Sequence, residues 1–451
     1  MKTKLVSFVS VLILIVMVLS ACAPTPEAQT VVETVIEKVV ETVVVEKEVE
    51  KEVEKEVFVT AQTVLYNSMQ GDPVPRAFDE KIVGEWNEAH PEMPVEHSIV
   101  AHEDFKQAIR AYLTADPAPD VLTWFAGNRA RFFIDKGLIL SLDEVWVDAG
   151  FDETFAPGFQ ALAEIDGEKY FMPTSYYWWA VYYRPSLFEQ AGIEGEPQTW
   201  EEFLVAIDKL NEAEITPITI GTRYRWTAAA WFDYLNMRVN GPQFHIDLMD
   251  LKESYTDDRV KNVFTYWNEL LEHDAFIDSP ASYTWQEALD PMIQGEAAMY
   301  LMGGFILDSF PDELEDDLDF FRFPIIDPAV LVGEDAPTDG YFVSANARNP
   351  EGAAAFMGYL GSQEVQQAAF DDMGRLPTRT DVDISSATEM TQKGINLIQT
   401  ADYIAQFYDR DTTPPMADAG MDGFMEFWDD PSLIDTILED LEAERQFILS
   451  E

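Results

Sequence analysis

The sequence predicts an α/β protein built as two closely joined lobes. From Thr63 onward, β-type runs alternate with helix-type runs. Residues 61–451 make 391 positions, enough for two separate cores, and no Gly/Ser linker divides them. One stretch, Gly167 to Pro185, carries eight aromatic residues in 19, including the unbroken run Tyr176-Tyr177-Trp178-Trp179. Successive strand side chains face opposite ways, so four adjacent rings cannot all point into one core. The stretch is either a core strand with a heavy aromatic load or a platform for a ligand.

The chain begins with a processing segment. Lys2 and Lys4 precede Leu5 to Leu19, a 15-residue uncharged run, short for a membrane span. Leu19-Ser20-Ala21-Cys22 follows, the pattern of a secretory signal. It resembles a bacterial lipobox with Cys22 as the lipidated residue. Cys22 is the only cysteine, so it forms no internal disulfide. Two acyl chains on it would hold the protein on a membrane without spanning it. Residues 1–22 are therefore expected to be a lipoprotein signal peptide. Residues 23–60 repeat Val, Glu and Lys in fours and are expected to form an extended or helical stalk. The spacing of Val45, Val49, Val53 and Val57 drifts about 40° per step on a helix, so the stripe winds around it.

Charge narrows the partners. The whole chain carries −54; residues 23–60 hold ten Glu and four Lys, and the part from residue 61 onward carries −50. Nucleic acid and anionic solutes are thereby disfavoured. A neutral or cationic ligand fits.

Along the soluble part, Thr63–Asn67 reads as a first strand and Arg76–His90 as a helix with Phe78, Ile82, Val83 and Trp86 on one face. Pro94–Val100 is a second strand, Asp104–Ala115 a second helix and Asp120–Trp124 a third strand. This alternation implies parallel βαβ units. Ligands of open α/β sheets sit at the carboxyl ends of the strands. That places Asn67, His102, Glu103, Trp124, Asn128 and Arg129 near one rim. Further on, Thr199 and Glu202 form a capping box ahead of a helix.

Other chemistries are poorly served. There is no Gly-rich phosphate loop and no Gly-x-Ser-x-Gly. His90, His97, His102, His245 and His273 show no ligand spacing. Asp247–Asp258 lacks the glycine and spacing of an EF-hand. No cofactor, metal or catalytic residue is expected.

Several motifs together resemble family 1 extracellular solute-binding proteins, the sugar-capturing components of ABC importers. They are Pro119-Asp120-Val121 running into Trp124, Lys136 to Asp143, Tyr170 to Pro173, Tyr183 to Ile193, Pro197 to Phe203, Gly295 to Gly303, Asn349 to Phe356, Ser362 to Gln366, and Gly374 to Pro377. Tyr183-Arg184 departs from the family's usual Tyr-Asn. The resemblance spans about residues 62–430. It implies a periplasmic-binding-protein-like fold of type II, maltose-binding-protein-like, each lobe a mainly parallel sheet flanked by helices. Lobe one would be 61–173 and 305–342, and lobe two 174–304 and 343–451. The aromatic stretch would be the first crossing between them.

By this resemblance the chain captures a neutral carbohydrate, an oligosaccharide in expectation, and hands it to a membrane permease as a monomer. Trp124 takes a family stacking position, with donors from Asn128 and Arg129 just after it. Trp226 resembles lobe two's aromatic contact. Phe305, behind Gly303-Gly304, takes the place of a family aromatic, and Asp339 and Tyr341 lie on the return to lobe two. Tyr177 and Trp179 share one strand face by alternation, and Trp178 takes the other. Trp231, Phe232, Tyr234 and Trp285 read as packing residues, and Asp418 as a weaker contact. Each buried ring removes roughly 150–250 Å² from water. At about 25 cal/mol per Å² several rings outweigh one hydrogen bond. A cationic solute in an aromatic cage and a surface-tethered glycan-degrading enzyme with two carboxylates at a set separation are the alternatives.

Overall fold

The computed structural model describes residues 63–450, which pack as one unit. The signal segment, Cys22 and the stalk lie outside the described residues. Among the described residues no helix is long and apolar enough to cross a membrane.

Twelve strands matter here: β1 (Val64–Ser68), β2 (Val95–Ile99), β3 (Val121–Phe125), β4 (Met172–Tyr176), β5 (Trp179–Tyr183), β6 (Thr216–Ile218), β7 (Ala297–Gly303), β8 (Asp319–Phe321), β9 (Gly333–Asp335), β10 (Thr338–Val343), β11 (Leu376–Pro377) and β12 (Tyr403–Ala405). They form a six-stranded sheet in the order β11-β4-β10-β3-β1-β2 and a four-stranded sheet in the order β8-β5-β7-β6, with β9 and β12 paired in a separate two-stranded sheet. Each of the two larger sheets organises one lobe, so the two-lobed α/β class holds.

Helices cover both faces of the first sheet. Val121 faces a core with Tyr66, Phe78, Ile82 and Phe356. Leu122 and Trp124 face a second core with Phe105, Ile109 and Phe133. Burial on both sides is why β3 reads as a continuous apolar run rather than an alternating one. The second sheet is buried under Trp231, Phe232 and Tyr234, all fully buried as expected of packing residues. The Thr199 capping box forms as expected: Glu202 N–H donates to Thr199 Oγ1 at 3.3 Å, and Thr199 N–H to Glu202 Oε2 at 3.2 Å.

Two expectations are corrected. The sheets are mixed rather than mainly parallel. The β1–β2, β1–β3 and β6–β7 pairs are parallel, whereas β10 runs antiparallel to β3 and β4, and β5 runs antiparallel to β7 and β8. Strands that return across the lobe boundary enter each sheet from the opposite end, which reverses them.

The split of the chain also differs from 305–342 in lobe one and 343–451 in lobe two. Strand β8 closes the edge of the second sheet, with Phe320 opposite Tyr182. The helices Pro350–Leu360 and Gln363–Met373 return to the first sheet, packing Phe356, Met357, Leu360, Val365 and Ala369 against Val64 and Tyr66.

The aromatic stretch is the first crossing. Strand β4 belongs to one sheet, β5 to the other, and only Tyr177 and Trp178 separate them. Asp335 to Thr338 makes a second crossing, between β9 and β10. Trp178 is seated by a glycine. A Cβ on Gly394 would stand 2.3 Å from its ring. Gly394→Ala should therefore destabilise the protein by about 1–3 kcal/mol through overpacking, read as a lower denaturation midpoint in urea. An unchanged midpoint would mean that the ring has room to shift.

Candidate ligand-binding cleft

A cavity of about 360 Å³ opens where β4 passes into β5, lined from both lobes. Its aromatic wall begins in the two-residue link between β4 and β5. Tyr177 and Trp179 both border the cavity, whereas Trp178 turns away, its ring centroid 5.9 Å from Phe320. The Trp179 ring stacks on Phe407 at 4.6 Å and meets Trp226 edge-on at 6.1 Å. Its backbone is held by the Tyr234 hydroxyl, which donates to the Trp179 carbonyl at 3.0 Å. Phe305 stands 5.2 Å from Tyr177 and 5.2 Å from Trp285. Arg225, with φ at 65°, turns the chain so that Trp226 begins the helix Trp226–Asn240 at the cavity edge. Trp226, Phe305 and Trp285 line the cavity and are only half-buried. Trp179 is 2% exposed and backs them.

The polar wall is largely pre-paired. Arg410 donates to Tyr177 Oη at 2.8 Å and to Asp339 Oδ1 at 2.9 Å, and lies 4.1 Å over the Phe125 ring. Arg375 binds Asp308. Lys106 sits 3.1 Å from Glu103 and 3.8 Å from Asp409. Asp79 accepts from Tyr66 at 2.9 Å and from Ser68. Asp72 differs: its hydrogen-bond partner is the Gln286 amide, at 3.4 Å.

Burial raises the carboxyls of Asp72, Asp308 and Asp339, although the Gln286 amide opposes it at Asp72, Arg375 at Asp308 and Arg410 at Asp339. At Asp409 burial also pushes upward, but Arg129, Lys106 and Arg410 together outweigh it and hold the carboxyl below its ordinary value. His102 is held well below its ordinary value by burial and then by Lys106, Arg410 and Arg129. The cavity thus presents a neutral imidazole, rings, and polar groups fixed in place.

Of the residues expected at the site, Glu103, Tyr177, Trp179, Trp226, Phe305, Asp339 and Tyr341 line the cavity. Trp178 does not. Trp124 borders it, yet its ring packs among Phe105, Phe125, Phe133 and Phe342 and is 1% exposed, so it has no stacking face. Asn128 and Arg129 bridge the lobes instead. Asn128 donates to the Asp411 carbonyl at 2.5 Å and to Asp250 at 3.1 Å, and Arg129 pairs with Asp409.

Gly303 and Gly304 make room for the protein's own rings rather than for a ligand. A Cβ on Gly303 would lie 2.5 Å from Phe305, and one on Gly304 would lie 3.4 Å from Trp178. Asp418 is exposed and 3.3 Å from Arg225, away from the cavity. Trp285 belongs to a turn at the cavity rather than to a packed helix. Sequence reasoning missed Phe407, Arg410, Arg375, Asp308, Asp72 and Gln286. The cluster Phe407-Tyr408-Asp409-Arg410 was the available signal, since it sets rings beside opposite charges.

The model of the bacterial extracellular solute-binding proteins matches residues 71–367, well over half of the chain. The chain belongs to that family. This solute-binding protein is 24% identical over 281 residues to an ABC transporter extracellular-binding protein of Pyrococcus horikoshii. That alignment covers 62% of each chain, so less than two thirds of the relative's length. It is 25% identical over 303 residues to a sugar-binding periplasmic protein of Rhizobium meliloti, covering 64% of this chain and 69% of that one. Among solved structures it is similar to the bacterial solute receptor AcbH, described as having an exclusive preference for β-D-galactopyranose. The TM-score is 0.81 at 29% identity, covering 86% of this chain and 99% of that chain.

Next to Arg410 in this solute-binding protein stands Asp411, half-buried and electrostatically linked to the fully buried Asp233 and Asp335. Burial pushes Asp411 up from the ordinary 3.8 to about 7, helped by Asp250 and opposed by the Gln406 backbone N–H. Burial likewise raises Asp233 and Asp335, each further raised by neighbouring carboxylates. A carboxyl raised in the folded state binds its proton more tightly there than when unfolded. The resulting stability is complete below the ordinary carboxylate range and is lost as pH rises through about 7 for Asp411. The melting temperature should therefore fall from about pH 5 to about pH 8. Asp411→Asn, which mimics the neutral acid, should flatten that profile. An identical slope in the variant would remove Asp411 from the account.

Proposed function

We propose that this protein is the extracytoplasmic receptor of an ABC importer for a neutral carbohydrate. The ligand is held between the lobes and passed to membrane permease subunits. The observation that carries the reading is the aromatic wall of Trp226, Phe305 and Trp285, backed by Trp179 and facing fixed polar side chains. Pyranose rings present flat C–H faces and equatorial hydroxyls, and this pairing of surfaces suits both. The relatives named for sugar binding and the galactopyranose receptor support the same ligand class.

A cationic solute is the weaker reading despite the acidic composition. Most carboxylates lining the cavity already hold an arginine, a lysine or buried hydroxyl donors, which leaves Asp104 and Asp72 as the uncommitted ones. Cys22 carries the lipid anchor in this proposal, and residues 23–60 lift a monomeric receptor off the outer face of the membrane. Binding, not bond cleavage, is the activity expected of the family.

Calorimetry or thermal shift against a panel of mono- and oligosaccharides tests the ligand class. A response to at least one sugar is expected; none, alongside tight binding of another solute, would contradict it. Trp226→Ala and Trp179→Ala should each weaken sugar binding by at least about tenfold, as expected for lost ring burial. Full affinity in both variants would mean the cleft is elsewhere. Cys22→Ser should release the protein from the membrane fraction, and retention there would argue against lipidation.

A further inference from the structure

Two loops of the second lobe bring side chains to the cavity. Residues 219–226 carry Tyr224 and Trp226, and residues 280–288 carry Trp285 and Gln286. The loops approach each other closely. A Cβ on Gly221 would overlap the Thr284 carbonyl, so the approach requires glycine there. Their backbones are tied directly: Thr222 N–H donates to the Pro280 carbonyl at 2.9 Å and Arg223 N–H to the Tyr283 carbonyl at 3.0 Å. The Thr219 hydroxyl donates to the Ala288 carbonyl at 2.6 Å, and the Thr227 hydroxyl donates to the Gly221 carbonyl at 2.7 Å.

The two tryptophans are not equally secured. Trp226 opens a 15-residue helix and its ring meets Trp179, Phe305 and Phe407. Trp285 sits in a turn. Among the described residues it makes one hydrogen bond, its carbonyl accepting from the Tyr300 hydroxyl at 3.2 Å, and one ring contact, with Phe305.

Tyr300 is a fixed point. It stands on β7, the strand between β5 and β6, opposite Tyr182, and is fully buried. It does not itself line the cavity. A phenol has one proton to give. The Trp285 carbonyl can only accept, so it takes that proton, and the Tyr300 oxygen in turn accepts from Gly221 N–H at 3.4 Å. Burial holds the hydroxyl above its ordinary value, with the Gly221 N–H opposing, so it stays protonated and able to donate. One buried oxygen thus fastens both loops to the sheet.

From these contacts we infer that Tyr300 is a positioning residue for ligand binding: its hydroxyl sets the place of Trp285 in the aromatic wall without touching the ligand. This rests on the carbohydrate reading above and names a residue on which that wall depends. Without the hydroxyl, the Trp285 carbonyl and the Gly221 N–H lose their partner. A buried polar group left unpaired is costly, and the turn relieves the cost by shifting until water reaches them. A shifted Trp285 no longer meets a sugar ring where Trp226 and Phe305 do.

The test is a double-mutant cycle on the full protein. D-glucose, D-galactose, D-xylose, N-acetylglucosamine and their linked di- and trisaccharides are titrated by calorimetry into the native protein, Tyr300→Phe, Trp285→Ala and the double variant. Tyr300→Phe should weaken the best-bound sugar by at least about fivefold, the worth of one neutral hydrogen bond. In the Trp285→Ala background the same change should cost less than about twofold, because the ring it positions is gone. The melting temperature should fall on Tyr300→Phe in both backgrounds, since the hydroxyl's loss is felt by the fold either way. A hydroxyl with a merely structural role would lower the melting temperature and leave affinity unchanged, and that result would overturn the inference. An equal loss of affinity in both backgrounds would overturn it too, because the hydroxyl would then act through something other than Trp285. Native affinity in Trp285→Ala would remove Trp285 from the site, and Tyr300 with it, while leaving the carbohydrate reading intact. Silence of the native protein toward every sugar would instead overturn the carbohydrate reading, and the role of Tyr300 within it.

Discussion

The arrangement depends on a buried guanidinium. Arg410 donates to Tyr177 on the first crossing, to the Thr338 carbonyl at the end of the second and to Asp339 just after it, while lying over Phe125 of β3. Arginine stays charged in proteins, so a guanidinium this deeply buried requires partners. Breaking such a buried pair by removing one member costs about 3–5 kcal/mol. By meeting that requirement with groups from both crossings, Arg410 fixes where the chain leaves one lobe and enters the other. The aromatic wall begins at the same point, because Tyr177 is both an Arg410 partner and a cavity residue.

The two-residue link between β4 and β5 then distributes the rings. Tyr177 and Trp179 go to the cavity, and Trp178 goes to the core of the second lobe, where Gly394 leaves space for it. A purely apolar crossing could join the lobes equally well. It would not leave Trp226, Phe305 and Trp285 half-buried around a cavity whose charges are largely paired. Structural and binding demands therefore meet in the same few residues.

The fold class was legible because it rests on local patterns: strand–helix alternation, a capping box, and an aromatic run too dense for one face. The opposed faces of Tyr177 and Trp178 were legible for the same reason, since a period of two needs no tertiary knowledge. Most of the failures are non-local. Trp124 ends a strand at the expected rim, but the two-sided core around β3 claims its ring. Asn128 and Arg129 have the chemistry of ligand donors, but residues 409–411, nearly three hundred positions later, take them as bridging partners. The split of the chain failed similarly, since strand β8 and the helices Pro350–Leu360 and Gln363–Met373 are placed by their sheet partners rather than by their neighbours in sequence. Trp285 is a local miss: Thr284 and Glu287 close its turn reciprocally, Thr284 N–H donating to Glu287 Oε2 at 2.7 Å and Glu287 N–H to Thr284 Oγ1 at 3.1 Å.

The most direct test of the account is a crystal structure of the protein with a bound sugar. The account requires a pyranose ring packed on Trp226 and Phe305, its hydroxyls within hydrogen-bond distance of the polar groups opposite. A sugar bound outside this cavity, or one in it that leaves both rings untouched, would contradict the account.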